Sequence, residues 1–153
     1  MYFPGLEGVV VKETKICHID LENSKIYYRG YDLEELAERS TFEEAAYLLW
    51  HGSLPRRSEL EEFRRSLAQH RIPPSHVKDL LLRAPRAAEP IGVLRTAVSA
   101  MAFGEDLRDK SPQVELARGL KITGAMPYIV AAFDRSRRGW SRRSPRRPEA
   151  TPS

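Results

Sequence analysis

Read as a pattern of apolar and polar positions, the chain is extended at its start and helical afterwards. Residues 8–19 hold Val9, Val10, Val11, Thr14, Ile16 and Ile19, which favour extended backbone. Residues 25–29 have the same character, and Glu22, Asn23 and Ser24 make a polar turn between the two, so the opening reads as a small β-hairpin. Gly30 and Tyr31 follow it. From Asp32 the period becomes helical. Asp32 and Glu35 have the spacing of a capping box, in which the first side chain accepts an early backbone N–H and the second reaches back. They open a short helix carrying Leu33, Leu36 and Ala37. Thr41 and Glu44 repeat the device for a second helix with Ala45, Tyr47, Leu48, Leu49 and Trp50, and Gly52 suits a left-handed close. Ser58 and Glu61 start a third, with Leu60, Phe63 and Leu67 facing inward and Glu61 four residues before Arg65 as an ion pair. Pro73 and Pro74 end it. Residues 75–83 make another short helix through Val77, Leu80 and Leu81, and a loop leads to Pro90, where proline is tolerated in a first turn.

The most apolar stretch is residues 89–138. It holds two helical runs, residues 90–103 and residues 114–133, joined by a charged turn. In the first, Ile91, Leu94, Val98 and Met101 sit at helical spacing, and Val93, Ala97 and Ala100 widen the stripe almost around the helix. A helix apolar on nearly all sides is buried on most of them. The second contains Gly119, Gly124 and Pro127, which predict a kink about one turn before the proline, or a close backbone approach. Neither run has the roughly 20 apolar residues a membrane span needs, so no membrane partner is expected. The pair reads either as a core hairpin or as a subunit interface.

Composition changes this picture at one end. The 153 residues, 41% hydrophobic and 30% charged, suit one globular domain or part of a larger one. Residues 135–153 hold seven arginines and one glutamate, a net +6, so the total of +4 leaves 4 − 6 = −2 for residues 1–134. Basicity therefore belongs to the tail and says nothing of a nucleic-acid surface on the body. Residues 140–153, rich in Arg, Pro and Ser without apolar periodicity, are expected to be disordered. Weak, salt-sensitive binding of nucleic acid by this tail is the least favoured functional reading. Cys17 is the only cysteine and fits a reduced, cytoplasmic compartment. The N-terminus has no basic and then apolar pattern of a secretory signal.

No catalytic constellation emerges. His18, His51, His70 and His76 fall on different elements and lack metal-ligand spacing, and one cysteine builds no zinc site. The doublets Glu34-Glu35, Glu43-Glu44 and Glu61-Glu62 suit helix first turns better than an acid/base pair. The segment Tyr27-Tyr28-Arg29-Gly30-Tyr31 is better explained by strand and turn packing than by stacking on a nucleotide. The expectation is that no catalytic, cofactor-binding or metal residue is present.

Four blocks carry a resemblance, in order: G-L-E-G-V-V-V-K-E-T-K-I from Gly5, Y-R-G-Y-D-L-E-E-L-A-E-R-S-T-F-E-E-A-A-Y-L-L-W-H-G-S-L-P from Tyr28, P-I-G-V-L-R-T-A-V-S-A-M from Pro90, and A-M-P-Y-I-V-A-A-F-D-R from Ala125. Over residues 6–139 the chain resembles the N-terminal part of a citrate synthase or 2-methylcitrate synthase. The resemblance implies a mainly α fold with a short N-terminal β-hairpin, residues 1–139 forming the N-terminal portion of the family's large domain. It implies an acyltransferase family of the tricarboxylic acid cycle. Its dimeric members condense acetyl- or propionyl-CoA with oxaloacetate, using a carboxylate base and two histidines and no metal. Those catalytic groups lie in blocks resembling G-P-L-H-G-G, G-F-G-H-R-V and V-D-F-Y, and none of these strings occurs here. Arg29 would approach a CoA phosphate only in a complete enzyme and is not assigned. The expectation is a truncated or frameshifted family member, inactive alone and free of cofactors. It could still form a homodimer, or a heterodimer with a full-length paralogue, through residues 90–103 and 114–133. The resemblance implies that helices covering this pair are missing, so Leu94, Val98, Met101, Ile129 and Phe133 are expected to be left exposed and to form the least satisfied surface of the isolated chain.

Overall fold

The computed structural model describes residues 4–6, 8–10 and 12–139; the tail expected to be disordered, residues 140–153, lies outside the described residues. The described chain is mainly helical with a small antiparallel sheet near its start, and it divides into two compact units after Arg64.

In the first unit, a 3-10 turn at Pro4–Leu6 precedes β1 (Cys17–Asp20), β2 (Lys25–Tyr28) and β3 (Tyr31–Asp32), paired in the order β1-β2-β3. The strand expected over residues 8–19 shrinks to its last part. The Thr14 hydroxyl accepts the Ile16 N–H at 3.1 Å and bends the chain, and Val10 stays 85% exposed with nothing to pack against. Asp20 pairs with Lys25, and the Asp20 carboxylate holds the turn by accepting the Asn23 N–H at 3.0 Å. The third strand was not expected. Arg29 and Gly30 both have positive φ, 51° and 90°, as a two-residue type I′ hairpin turn requires. Tyr28 and Tyr31 face each other across it.

Asp32 then caps α1 (Leu33–Arg39) as expected, its carboxylate accepting the Glu34 N–H at 2.8 Å. The capping box of α2 (Phe42–His51) is complete. Thr41 Oγ1 accepts the Glu44 N–H at 3.4 Å, and Glu44 Oε2 accepts the Thr41 N–H at 2.8 Å. Gly52 closes the helix at φ 87° and donates to the Leu48 carbonyl at 2.8 Å. α3 (Arg57–Gln69) starts one residue before the expected Ser58, with the Arg56 N–H donating to Glu59. Glu61 pairs with Arg57 at 3.4 Å, one turn earlier, and not with Arg65 as its spacing suggested. Leu36, Leu48 and Phe63 are buried, and the Phe63 ring meets Tyr47 and Trp50 edge-on, each at 5.5 Å.

The second unit holds the end of α3, then α4 (Ser75–Arg83), α5 (Pro90–Ala100) and α6 (Pro112–Arg137). One core joins the last three: Val77 and Leu81 from α4, Val93, Ala97 and Ala100 from α5, and Ala125, Ile129 and Phe133 from α6. Each repeats at three or four residues, so each helix gives one face. Complete burial of side chains such as Leu81 and Ile129 is worth about 1.5–3 kcal/mol apiece.

α5 ends at Ala100 rather than at residue 103, and Gly104 takes a φ of 84° in the turn that follows. α6 is longer than expected and runs unbroken through Gly119, Gly124 and Pro127. The close-approach reading holds at Gly124. A Cβ there would stand 2.6 Å from the Leu67 carbonyl oxygen and 2.9 Å from the His70 Cβ, so α6 meets the end of α3 where only hydrogen fits.

The expected exposed set is corrected. Ile129 and Phe133 are core residues, 1% and 4% exposed, because α6 turns the Ala125, Ile129 and Phe133 stripe toward α4 and α5. Leu94, Val98 and Met101 are half-buried. The outward apolar residues of the pair are Ile91 at 72% and Val130 at 52%, with Phe103 in the turn at 70%. Nor is this pair the least covered surface, since Leu21 in the hairpin turn is 86% exposed.

Candidate functional site

The sequence offered four histidines, and the rings of three of them stack on an aromatic neighbour. The His18 ring stacks on Tyr27 across the β1–β2 ladder, with centroids 6.1 Å apart. His51, the last residue of α2, stacks on Tyr47 at 4.1 Å. The His70 N–H donates to the Leu67 carbonyl at 3.1 Å as α3 ends. His76 in α4 sets Nε2 2.8 Å from the Ala100 carbonyl, the last of α5, and lies flat against Phe103 at 5.6 Å. His76 thus ties the C-terminus of α5 to α4, a link that no spacing in the sequence announces.

The carboxylates are likewise structural. Glu44 is held below its usual range by the Thr41 N–H and then the Thr41 hydroxyl. That is the opposite of a base tuned toward neutrality. Lys25 lowers Asp32 through a direct hydrogen bond, and Asn23 lowers Asp20 in the same way. The aromatic segment around Arg29 is the β2–β3 hairpin. The Arg29 guanidinium spans to the end of α2 and donates to the Leu49 carbonyl from Nη2 at 2.9 Å and Nε at 3.3 Å. A cation at a helix C-terminus is favourable. Arg29 is engaged there as a packing residue.

Among the described residues there is no buried polar or charged side chain, and no group of three His, Cys, Asp or Glu is placed to hold a metal. No helix of the described residues is long and apolar enough to cross a membrane.

Two features of the second unit stand out. The first is an apolar groove of about 390 Å³ at the start of α5 and the end of α6. Pro90, Ile91, Leu94, Val130 and Phe133 line it, and Asp134 and Arg137 lie at its polar margin. The second is an ionic cluster at the opposite end of the same helix pair. Glu105 pairs with Lys121 at 2.6 Å and with Arg118 at 3.3 Å. Lys121 first, and Arg118 after it, hold the Glu105 carboxyl below its usual range.

Comparison with known proteins identifies the family of this helical scaffold. The family model described as citrate synthase, C-terminal domain, matches residues 5–152. The match therefore takes in most of the arginine-rich stretch that composition sets apart. The citrate synthase of Haloferax volcanii is 43% identical over 142 residues, covering 88% of this chain and 37% of the relative. The citrate/2-methylcitrate synthase of Bacillus subtilis is 38% identical over 133 residues, covering 86% of this chain and 36% of the relative. Among solved structures, citrate synthase from Thermotoga maritima superposes with a TM-score of 0.78 at 40% identity, over 95% of this chain and 38% of that one. Citrate synthase from Thermoplasma acidophilum, solved as a ternary complex with carboxymethyl coenzyme A and oxaloacetate, gives 0.83 at 25% identity over 96% of this chain and 39% of that one. The chain thus spans well under half the length of these relatives, and it belongs to the citrate synthase family.

Proposed function

We propose that these 153 residues are a scaffold portion of a citrate-synthase-type acyltransferase and that they turn over no substrate on their own. The complete enzyme would condense acetyl- or propionyl-CoA with oxaloacetate, in the cytoplasm, through general acid–base chemistry in a closed cleft. The observation that carries this reading is the pairing of a strong family match with coverage of only 36% to 37% of the curated relatives. The strings G-P-L-H-G-G, G-F-G-H-R-V and V-D-F-Y, which resemble the family's catalytic blocks, are absent from the sequence, so no residue here is assigned a catalytic role. Three of the four histidines, His18, His51 and His76, support it too, since their rings stack on Tyr27, Tyr47 and Phe103. The purified chain, given acetyl-CoA or propionyl-CoA with oxaloacetate, should release no CoA thiol above background. Release in proportion to protein would overturn the proposal.

A second reading is favoured by the outward apolar surface of α5 and α6. Ile91 and Val130, exposed by 72% and 52%, flank the groove, and Leu94 is half-buried beside them. This surface suits pairing with a second copy or with a full-length paralogue. Sedimentation of the chain alone and mixed with such a paralogue checks it, and a monomer in both cases would exclude it.

A further inference from the structure

We propose that the connection between α5 and α6, residues 101–111, is an ionic strap latched by Arg118, able to open while the helical core of the second unit stays folded. Arg118 lies in the second turn of α6, and its side chain is only 14% exposed. Its guanidinium spends every nitrogen on the strap or on the turn beside it. Nε donates to Glu105 Oε2 at 3.3 Å, and Nη1 to the Asp109 carbonyl and to Glu115 Oε1, both at 2.8 Å. Nη2 donates to the Asp106 carbonyl. One planar fork therefore fixes three successive parts of the connection, which a lysine's single ammonium has no geometry to do. Lys121, one turn along α6, holds Glu105 from the other side at 2.6 Å.

Apolar contact holds the start of the strap, where Met101 packs against the core and the Phe103 ring lies on His76, and contributes little beyond it. Its large apolar side chains include Phe103, 70% exposed, and Leu107, 52% exposed. The core of the same unit is the reverse, with eight buried apolar residues and no buried charge among those described. Charge-assisted hydrogen bonds near the surface weaken with salt, whereas apolar burial does not. The two parts of one unit therefore answer to different conditions. Salt, or a competing anion at Arg118, releases the strap and leaves the α4, α5 and α6 core in place, which is a local opening. The groove lies at the far end of the same helix pair, so the latch closes the turn end of the pair and leaves the groove end to apolar contacts.

The test is limited trypsin digestion of the full chain, following the bonds after Arg108 and Lys110 by mass spectrometry. Both side chains are accessible, at 97% and 72% exposed. Arg118→Met should raise the initial cleavage rate at these bonds at least about tenfold, since even one well-made charged hydrogen bond is worth that and several are lost together. Arg118→Lys should lie between. In the unaltered chain, moving from low to high sodium chloride should raise the same rate, and in Arg118→Met the salt effect should shrink to what the remaining pairs, chiefly Lys121 with Glu105, retain. Arg57→Met, which removes an exposed helix pair elsewhere, should change nothing at these bonds. Equal rates in the unaltered chain and in Arg118→Met would overturn the proposal, as would a salt response undiminished in Arg118→Met. If Arg118→Met loses its helical circular dichroism, the salt series on the unaltered chain decides alone, and a flat series refutes the latch.

Discussion

Gly124 and Gly92 are both helical glycines, and their surroundings make opposite predictions for the same change. A Cβ at Gly124 would sit 2.6 Å from the Leu67 carbonyl oxygen, whereas nothing lies within 4 Å of a Cβ at Gly92. Gly124→Ala should lower stability by about 1–3 kcal/mol, since backbone must move to admit the methyl. Gly92→Ala should raise it by about 0.5–1 kcal/mol, by restricting the unfolded chain and favouring the helix. Urea midpoints of the two variants check this, and shifts of the same sign would contradict the packing of α6 on α3. At this scale the sequence was most legible where a single residue carries its own local bond. Thr41, Glu44 and Gly52 do what their types do at helix ends, because those partners are three or four residues away. Arg29-Gly30 was legible in principle as a two-residue turn, but a non-glycine residue at φ 51° is not what composition suggests. The bond from Arg29 to the Leu49 carbonyl joins residues twenty apart, and no local rule foresees it.

Helices bounded by proline or by caps came through with their ends nearly intact, and α4 spans the expected residues 75–83. Strands did not, because β-branched residues become strand only where a partner stands beside them. Only the last part of the run from Gly8 to Ile19 has one. The α5 face inverts the expected order of importance. The smaller residues Val93, Ala97 and Ala100 enter the chain's own core, and the larger Ile91 is left outside. Periodicity finds both stripes and does not say which faces inward. Ile91→Asp with Val130→Asp should therefore leave the urea midpoint nearly unchanged while abolishing any self-association seen by sedimentation. Ile129→Ala, in the core, should cost about 2–5 kcal/mol. The connection between α5 and α6 adds a pH signature. The Glu105 pKa is depressed in the folded state, so its contribution is complete above the unfolded value of about 4.3 and is lost as pH falls through the folded value. Between those pH values the melting temperature of the unaltered chain should fall more steeply than that of Glu105→Gln. Parallel curves would remove Glu105 from the account.

Over the whole molecule, charge and chemistry separate. Residues 1–134 carry a net −2 and fold into helical units, while the excess of arginine lies beyond them. Family membership was legible because four blocks lie in register across most of the chain, a pattern that needs no knowledge of side-chain contacts. What remained hidden was the use of residues such as His76 and Arg29, whose partners Ala100 and Leu49 are distant in sequence. The fold at hand, with a TM-score of 0.83 to a citrate synthase solved with carboxymethyl coenzyme A and oxaloacetate, covers 39% of that chain. Scaffold and catalysis are thus separable claims. The most direct measurement is thiol release from acetyl-CoA and from propionyl-CoA at saturating oxaloacetate, taken across a concentration series of the purified chain. The account predicts a slope of zero against protein concentration for both thioesters. A positive, linear slope for either would mean that these residues assemble an active site of their own, and would contradict it.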